Sequence, residues 1–312
     1  MQPDLAAWLG NHVDGRGVNR LSGTWALSSV RPVTASGASG PSGRERTAGS
    51  GASGASGQER TADGAFVPVP GEGRVYEGQR RVRLGDASPG GRLRFDALVR
   101  YLQDVANDDT RDAGFDDVMG WVVRRTEIEV RQFPVYLEPI ALSTWCSGVG
   151  GRWAERRVHV VGEGGGHVEA ATLWVHLDPD TMRPKVLPDS FHALFGPSAQ
   201  GRTVRARLQH AEAPEDEGTV SARHAFPLRF TDFDVLNHVN NAVYWEAVEE
   251  ELARRRELRA PLRAELEHRA PIEPGAAVEV AIVERPGTAA LWLREATTHT
   301  IYATATIETL DL

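Results

Sequence analysis

The chain has 312 residues, of which 41% are hydrophobic, 25% charged and 7% aromatic, a composition typical of a globular protein. Its formal net charge of −8 argues against a general nucleic-acid binder, which needs a basic surface, and its single cysteine excludes an internal disulfide and a thiolate metal cluster. No apolar run reaches the roughly 18 residues that span a bilayer, and the first residues lack the basic and apolar regions of a secretory signal. We therefore expect a cytoplasmic protein with no membrane span.

The N-terminal part of the chain differs in composition from the rest. Residues 36–48 and 50–62 are two copies of one Gly/Ser/Ala-rich segment that differ by two substitutions. A tract of this kind cannot bury enough apolar surface to offset the entropy lost on ordering. The sequence therefore predicts a disordered, low-complexity tail over residues 1–72.

From Gly73 onward the pattern becomes that of a folded protein. Loose alternation over residues 74–86 predicts a strand. Apolar side chains at Phe95, Leu98 and Leu102 then follow the spacing of one helix face. Four segments rich in Val, Ile, Thr and Trp come next and predict strands, at residues 121–132, 140–147, 153–161 and 168–177.

The same order of elements returns after a polar connection at residues 196–218. A strand is predicted at 224–230 and a helix from Val239 to about Arg259, followed by strands at 266–268, 277–284, 289–294 and 301–310. Two such units imply an internal duplication. The predicted fold is α+β, a tandem double hot-dog in which two curved antiparallel sheets each wrap a central helix. Its parts are an N-terminal hot-dog at 73–197, a linker at 198–222 and a C-terminal hot-dog at 223–312.

The densest polar cluster lies at residues 229–241, between the first strand and the helix of the second half. It holds the carboxylate of Asp234, the imidazole of His238 and the carboxamides of Asn237, Asn240 and Asn241. Asp234 or His238 can orient a water or move its proton, and a helix N-terminus offers N–H groups to an oxyanion. The alternative is that an asparagine caps the helix and the acids only decorate the loop.

This segment, RFTDFDVLNHVNNAVYW, resembles the loop of plant plastid and bacterial acyl-ACP thioesterases that reads approximately R-x-S-D-x-D-x-N-x-H-V-N-N-x-x-Y. Residues 93–107, 121–130, 144–145 and 172–175 resemble other signatures of that family, so the resemblance covers roughly residues 74–312. It implies a thioester hydrolase that releases a fatty acid from acyl carrier protein, the chain-terminating step of fatty acid biosynthesis, without a cofactor. The alternatives are an acyl-CoA thioesterase and a non-catalytic acyl-thioester-binding hot-dog protein; a hot-dog dehydratase fits the loop less well.

The resemblance also implies roles for individual residues. The catalytic candidates are Asp234, His238 and Asn237. The substrate-binding candidates are Asn240 and Asn241 at the helix entry, and, along the first helix, Leu98, Leu102 and Val105, where an acyl chain would lie and its length would be limited. The implied partner is acyl carrier protein, or coenzyme A, as the substrate carrier. The sequence leaves open whether the protein forms a homodimer.

Two departures from the family pattern affect the site. Leu236 stands where the family has its catalytic asparagine, and Asn237 follows one residue later. The family's downstream strand reads L-E-Y-R-R-E-C-G, and here its glutamate falls on Pro271 and its cysteine on the next residue. Because the only thiol, Cys146, lies in the other half, a cysteine nucleophile at this site is excluded. Glu267 or Glu273 remains as a substitute for the missing glutamate.

Other candidate sites are weaker. Asp86 lies in the equivalent loop of the first half, where no histidine follows, so a degenerate site is predicted there. Residues 162–166 are glycine-rich but lack the Lys-Ser/Thr ending of a phosphate loop, which predicts a hairpin tip. The histidines of the first-half strands lack the spacing and acidic company of a metal site, so no metal is predicted; they are His159, His167 and His176. An arginine cluster after the second helix is the predicted docking surface for acyl carrier protein; it comprises Arg254, Arg255, Arg256, Arg259 and Arg263.

Overall fold

The computed structural model describes residues 67–115, 120–178, 180–214 and 217–311, so most of the predicted tail lies outside the described residues. The helices described are α1 (Phe95–Asp112), α2 (Asp189–Phe195) and α3 (Tyr244–Arg254). The strands are β1 (Tyr76–Arg81), β2 (Trp121–Gln132), β3 (Pro139–Val149), β4 (Trp153–Gly162), β5 (His167–His176), β6 (Ala222–Phe226), β7 (Leu262–His268), β8 (Val278–Arg285), β9 (Thr288–Glu295) and β10 (Ile301–Thr309). Over these ranges, no helix is both long and apolar enough to cross a membrane.

The ten strands form one antiparallel sheet in the order β1-β3-β4-β5-β2-β7-β10-β9-β8-β6. Strand β2 pairs with β5 on one side and with β7 on the other, where Ile128 lies opposite Ala264. The two sheets predicted from the sequence are therefore joined edge to edge. The double hot-dog architecture is confirmed.

The two long helices pack against each other and against one face of this sheet. Phe95 at the start of α1 stacks on Trp245 of α3 with ring centroids 5.4 Å apart, and Arg92 forms a 2.8 Å ion pair with Glu249. Side chains of both helices belong to one continuous core. Burying each large apolar side chain there stabilises the fold by about 1.5–3 kcal/mol, which explains why the predicted apolar face of α1 is buried.

The loops that precede the two helices have the same backbone hydrogen bonds. In the first half, the N–H of Ser88 donates to the carbonyl of Arg92 at 2.8 Å; in the second half, the N–H of Asp234 donates to the carbonyl of His238 at 2.9 Å. A short 3-10 turn ending in an aspartate comes just before each loop. The inferred internal duplication is therefore visible at the backbone level.

The connection between the halves crosses the outer face of the sheet, away from α1 and α3. The Nε1–H of Trp153 donates to the carbonyl of Val204 at 2.7 Å, and the carboxylate of Glu267 accepts the N–H groups of Gln209 and His210 at 2.5 and 3.2 Å. Glu267 is fully buried by this contact. Side chains of the sheet thus satisfy backbone groups of a connection that has little secondary structure of its own.

Several predicted boundaries were wrong. Helix α2 was missed, and the strand predicted to reach residue 230 ends at Phe226. Helix α3 is shorter than predicted: three turn residues precede it, and it ends before Arg255. The guanidinium of Arg255 donates to the carbonyls of Thr288 and Arg285 at 2.7 and 2.8 Å, a tertiary contact that accompanies its departure from helical geometry.

Candidate active site

The loop at residues 233–239 is a tight hairpin closed by a bridge between Phe233 and Val239. The Oδ1 atom of Asp234 accepts the N–H groups of Leu236 at 2.9 Å and His238 at 3.4 Å. These two bonds fix the orientation of the carboxylate. Within the described ranges its other oxygen, Oδ2, has no hydrogen-bond partner and can bind a water.

The other two predicted catalytic side chains are less constrained. Asn237 is exposed and adopts the left-handed conformation, with φ of 58°, where the first-half loop has Gly91 with φ of 85°. The imidazole of half-buried His238 has no hydrogen-bond or ion-pair partner in the part of the chain that the structure describes. The hairpin brings His238 close to Asp234 along the backbone, whereas Asn237 lies on its outer turn.

The predicted helix cap at Asn240 or Asn241 is wrong, because the N-cap of α3 is Val243 and no side chain caps it; Asn240 instead caps the turn that precedes the helix. Its Oδ1 atom accepts the N–H of Ala242 at 2.9 Å, and its carbonyl accepts the N–H of Val243 at 2.9 Å. These bonds use N–H groups that the helix entry would otherwise offer to an oxyanion. Among the residues with described positions, the backbone N–H of Asn241 has no hydrogen-bond partner, and it is a donor that this helix entry can offer.

Tyr244, the first residue of α3, connects this loop to the end of β7. Its ring meets the ring of His268 edge-on, with centroids 4.7 Å apart. Burial raises the pKa of the Tyr244 hydroxyl, and the negative charges of Asp234 and Glu273 raise it further. Glu267, the other substitute considered for the family's glutamate, instead holds the connection on the outer face of the sheet.

A cavity lies next to His268, bounded by α1, the start of α3 and the sheet, and Asp234, Asn237 and His238 are not among the residues that line it. Leu102 and Gln103 line it from α1, and Asn241, Trp245 and His268 line it from the second half. Its volume is ≈ 10 Å³, about the space that one water molecule needs. Of the predicted chain-binding residues, Leu102 reaches this cavity; the other two, Leu98 and Val105, are buried in the core.

Three nitrogens of cavity-lining side chains are buried without a hydrogen-bond partner in the described residues: Nε1 of Trp174, Nε1 of Trp245 and Nε2 of His268. Buried polar atoms are normally paired, so such atoms require an explanation such as a bound ligand. Burial lowers the pKa of His268 to about 4, so its imidazole is neutral near pH 7. None of these three side chains was predicted from the sequence; the available signal was His268, which stands where the family pattern has tyrosine.

The equivalent loop of the first half has a structural role. Asp86 accepts the hydroxyl proton of Tyr101 at 2.5 Å, and Arg92, at the place of His238, is paired with Glu249. The glycine-rich segment at 162–166 is the β4–β5 hairpin tip, as predicted. Its N–H groups bind an internal carboxylate, that of Glu138, at 2.8 and 3.0 Å.

The predicted docking cluster is divided by the fold. Arg263 is bound to three carboxylates, those of Glu127, Glu129 and Glu308, while Arg255 bonds to carbonyls. The arginines of the cluster that remain exposed are Arg254, Arg256 and Arg259. Cys146 is buried, and burial raises the pKa of its thiol to about 11, consistent with the core position predicted for it.

Comparisons with known proteins agree with this architecture. Models of the acyl-ACP thioesterase N-terminal and C-terminal domains match residues 73–195 and 215–307. An uncharacterized protein of Mycobacterium tuberculosis is 36% identical over 208 residues, which cover 66% of this chain and 81% of that protein.

Two plant proteins are more distant. The chloroplastic acyl-[acyl-carrier-protein] hydrolase FATB2 of Cuphea viscosissima is 22% identical over 189 residues, 55% of this chain and 46% of the relative. The chain thus spans about half the length of that relative. The solved 12:0-ACP thioesterase of Umbellularia californica superimposes with a TM-score of 0.62 at 19% identity, over 75% of this chain and 96% of that one.

Proposed function

The chain belongs to the acyl-ACP thioesterase family, and from this premise we propose that it hydrolyses fatty acyl-ACP at the cavity beside α1 and α3, with Asp234 activating the water. As a member of the family, it is a thioester hydrolase that releases a fatty acid and so terminates chain growth. The observation that carries the site assignment is the carboxylate of Asp234, fixed through Oδ1 with Oδ2 left for a water.

The reaction needs a base, an oxyanion site and an acid. Asp234 takes a proton as the water oxygen bonds to the thioester carbonyl carbon. The C–S bond then breaks, and the sulfur leaves as a thiolate that recovers the proton. His238, adjacent on the hairpin, relays that proton, because imidazole can both accept and donate near neutral pH.

The oxyanion site is assigned to the N–H of Asn241 and to Nε2 of His268, in the tautomer that carries its proton there. Both belong to residues that line the cavity, and neither has a partner in the described part of the chain. Donors held in place before the reaction stabilise developing negative charge without reorganising. Asn237 and Asn240 support this arrangement through the hairpin turn and through the turn that precedes α3.

We assign binding of the acyl chain to the N-terminal half, residues 73–197. Hydrolysis of the thioester is assigned to the C-terminal half, residues 223–312. The cavity holds about one water as it stands, so an acyl chain enters only when apolar side chains around Leu102 move apart. Leu98 and Val105, which are buried on the same helix as Leu102, set how far the acyl chain can extend.

The test is hydrolysis of acyl-ACP by the Asp234→Asn variant, followed through the free thiol released. The asparagine oxygen can still accept the N–H groups of Leu236 and His238, so the hairpin is preserved while the base is lost. We expect kcat to fall about 10²–10⁴-fold with little change in the melting temperature.

The matched control is Ser88→Ala, at the equivalent position of the first-half loop, which should leave kcat within a small factor. Asp234→Asn with near-normal kcat would remove Asp234 from the chemistry. Binding of acyl-ACP by the wild-type protein without turnover would instead favour a non-catalytic acyl-thioester binder. Comparing kcat/KM for acyl-ACP and acyl-CoA identifies the carrier.

A further inference from the structure

Strand register brings two histidines and a glutamate together on the outer face of the sheet, on the side opposite α1 and α3. His159 on β4 lies directly opposite Glu169 on β5, and His167 precedes Glu169 by two residues and so shares its face. The acidic neighbour that the sequence analysis did not find is thus supplied by strand pairing. His176 does not join them; its Nδ1 atom lies 3.3 Å from the carbonyl oxygen of Val186.

The three side chains converge. The Nε2 atoms of His159 and His167 each lie 3.4 Å from the Oε1 atom of Glu169, and the three ligand atoms lie within 4.8 Å of one another. A tetrahedral zinc ion, with bonds of about 2.0–2.2 Å, holds its ligand atoms about 3.3–3.5 Å apart. Both nitrogen-to-oxygen separations already have that value.

We propose that His159, His167 and Glu169 form a binding site for a zinc-type divalent cation, with a water molecule as the fourth ligand. Two imidazole nitrogens and one carboxylate oxygen are a ligand set that suits zinc. The side chains are 27%, 37% and 18% exposed, so an ion can enter from solvent and keep its water. Adjacent hydrogen-bonded strands carry the three residues and hold them in place.

The surrounding charges are balanced. The negative charges of Glu77 and Glu129 favour a cation here, whereas the positive charges of Arg131 and Arg157 oppose it. These four charges therefore offset one another, and the proposed site depends on the geometry of its three ligand atoms.

A second histidine–glutamate group on the same face provides an internal comparison. His210, Glu265 and Glu267 also lie within 4.8 Å of one another. However, Nδ1 of His210 is bonded to Thr304 at 2.9 Å, and Glu267 accepts two backbone N–H groups. Two of the three residues thus already have partners outside the group, so we expect this group to hold the connection and not a metal.

The experiment uses the full-length protein, freed of metal with a chelator that is then removed. Zinc chloride is titrated by calorimetry, and cobalt(II) by its visible absorption, which is intense for a tetrahedral site. We expect one zinc ion per chain. At a free zinc concentration 100 times Kd, the folding equilibrium should shift about 100-fold towards the folded state.

Variants then locate the ion. His159→Ala and the near-isosteric Glu169→Gln should each weaken zinc binding by at least about 10-fold and abolish the cobalt spectrum. His210→Ala should leave both unchanged. Absence of zinc binding to the wild-type protein would overturn the proposal, as would binding that persists unchanged in folded His159→Ala and Glu169→Gln. Hydrolysis of acyl-ACP is measured separately, and its presence or absence does not bear on these outcomes.

Discussion

Replacing His268 by phenylalanine should make the protein more stable and less active. In the wild-type protein the Nε2 atom is buried without a hydrogen-bond partner in the described residues, and the ring packs edge-on against Tyr244. Leaving such an atom unpaired costs about 1–3 kcal/mol. A phenyl ring keeps the aromatic contact and removes that cost.

The difference in stability between the His268→Phe variant and the wild-type protein should grow as the pH falls. Histidine has a pKa of about 6.5 in an unfolded chain, whereas that of His268 in the folded protein is lowered to about 4. Titration of His268 therefore does not reduce the free energy of unfolding of the wild-type protein above pH 6.5. As the pH falls from 6.5 towards 4 this free energy decreases, because the unfolded chain binds the proton before the folded protein does. At pH 5 this loss amounts to about 2 kcal/mol, and the phenylalanine variant does not suffer it.

The assay is thermal unfolding of both proteins from pH 8 to pH 5. For a body of this size 1 kcal/mol corresponds to about 2–4 °C, so the melting temperature of the variant should exceed that of the wild type by about 4–8 °C more at pH 5 than at pH 8. The control His192→Phe, at an exposed histidine, should run parallel to the wild type.

The His268→Phe variant should also hydrolyse acyl-ACP more slowly than the wild-type protein. If Nε2 of His268 donates to the oxyanion, its removal should lower kcat about 10²–10³-fold in a protein that is more stable. Parallel pH–stability curves for the wild type and His268→Phe would refute the assigned environment. Unchanged kcat would refute its place in the oxyanion site.

Three further changes test other parts of the structure. Cys146→Ser should leave turnover within a small factor, and in the native wild-type protein the thiol should react slowly with a thiol reagent, because burial raises its pKa to about 11. Glu267→Ala should lower the free energy of unfolding in urea by about 3 kcal/mol, because two backbone N–H groups lose their acceptor and Arg269 loses an ion pair, whereas Glu267→Gln should cost less. Reversing the charges of exposed Arg256 and Arg259 should raise KM for acyl-ACP more than KM for a short acyl-CoA. Added salt should have the same effect on the wild-type protein, because it screens exposed charges. A KM for acyl-ACP that stays constant between about 0.05 and 0.5 M salt would exclude this docking surface.

The sequence by itself determined the architecture, because local patterns encode it. The period of apolar residues in α1, the alternation in strands such as β2 and the turn residues between strands do not depend on distant contacts. The order of these elements was sufficient to imply two hot-dog units. The loop around Asp234 was equally visible, since its polar residues lie within a few positions along the chain.

The tertiary structure decided which residues lie together across strands and helices. Strand register placed Glu169 between His159 and His167, and no spacing along the chain indicates which residue of β4 faces which residue of β5. Packing of α3 against the end of β7 brought His268 to the cavity. Contacts of this kind depend on register and on how helices meet the sheet, and a one-residue change in register moves every side chain of a strand to the other face. The chemistry of individual residues can be read along the chain, whereas their combination into sites is a property of the folded molecule.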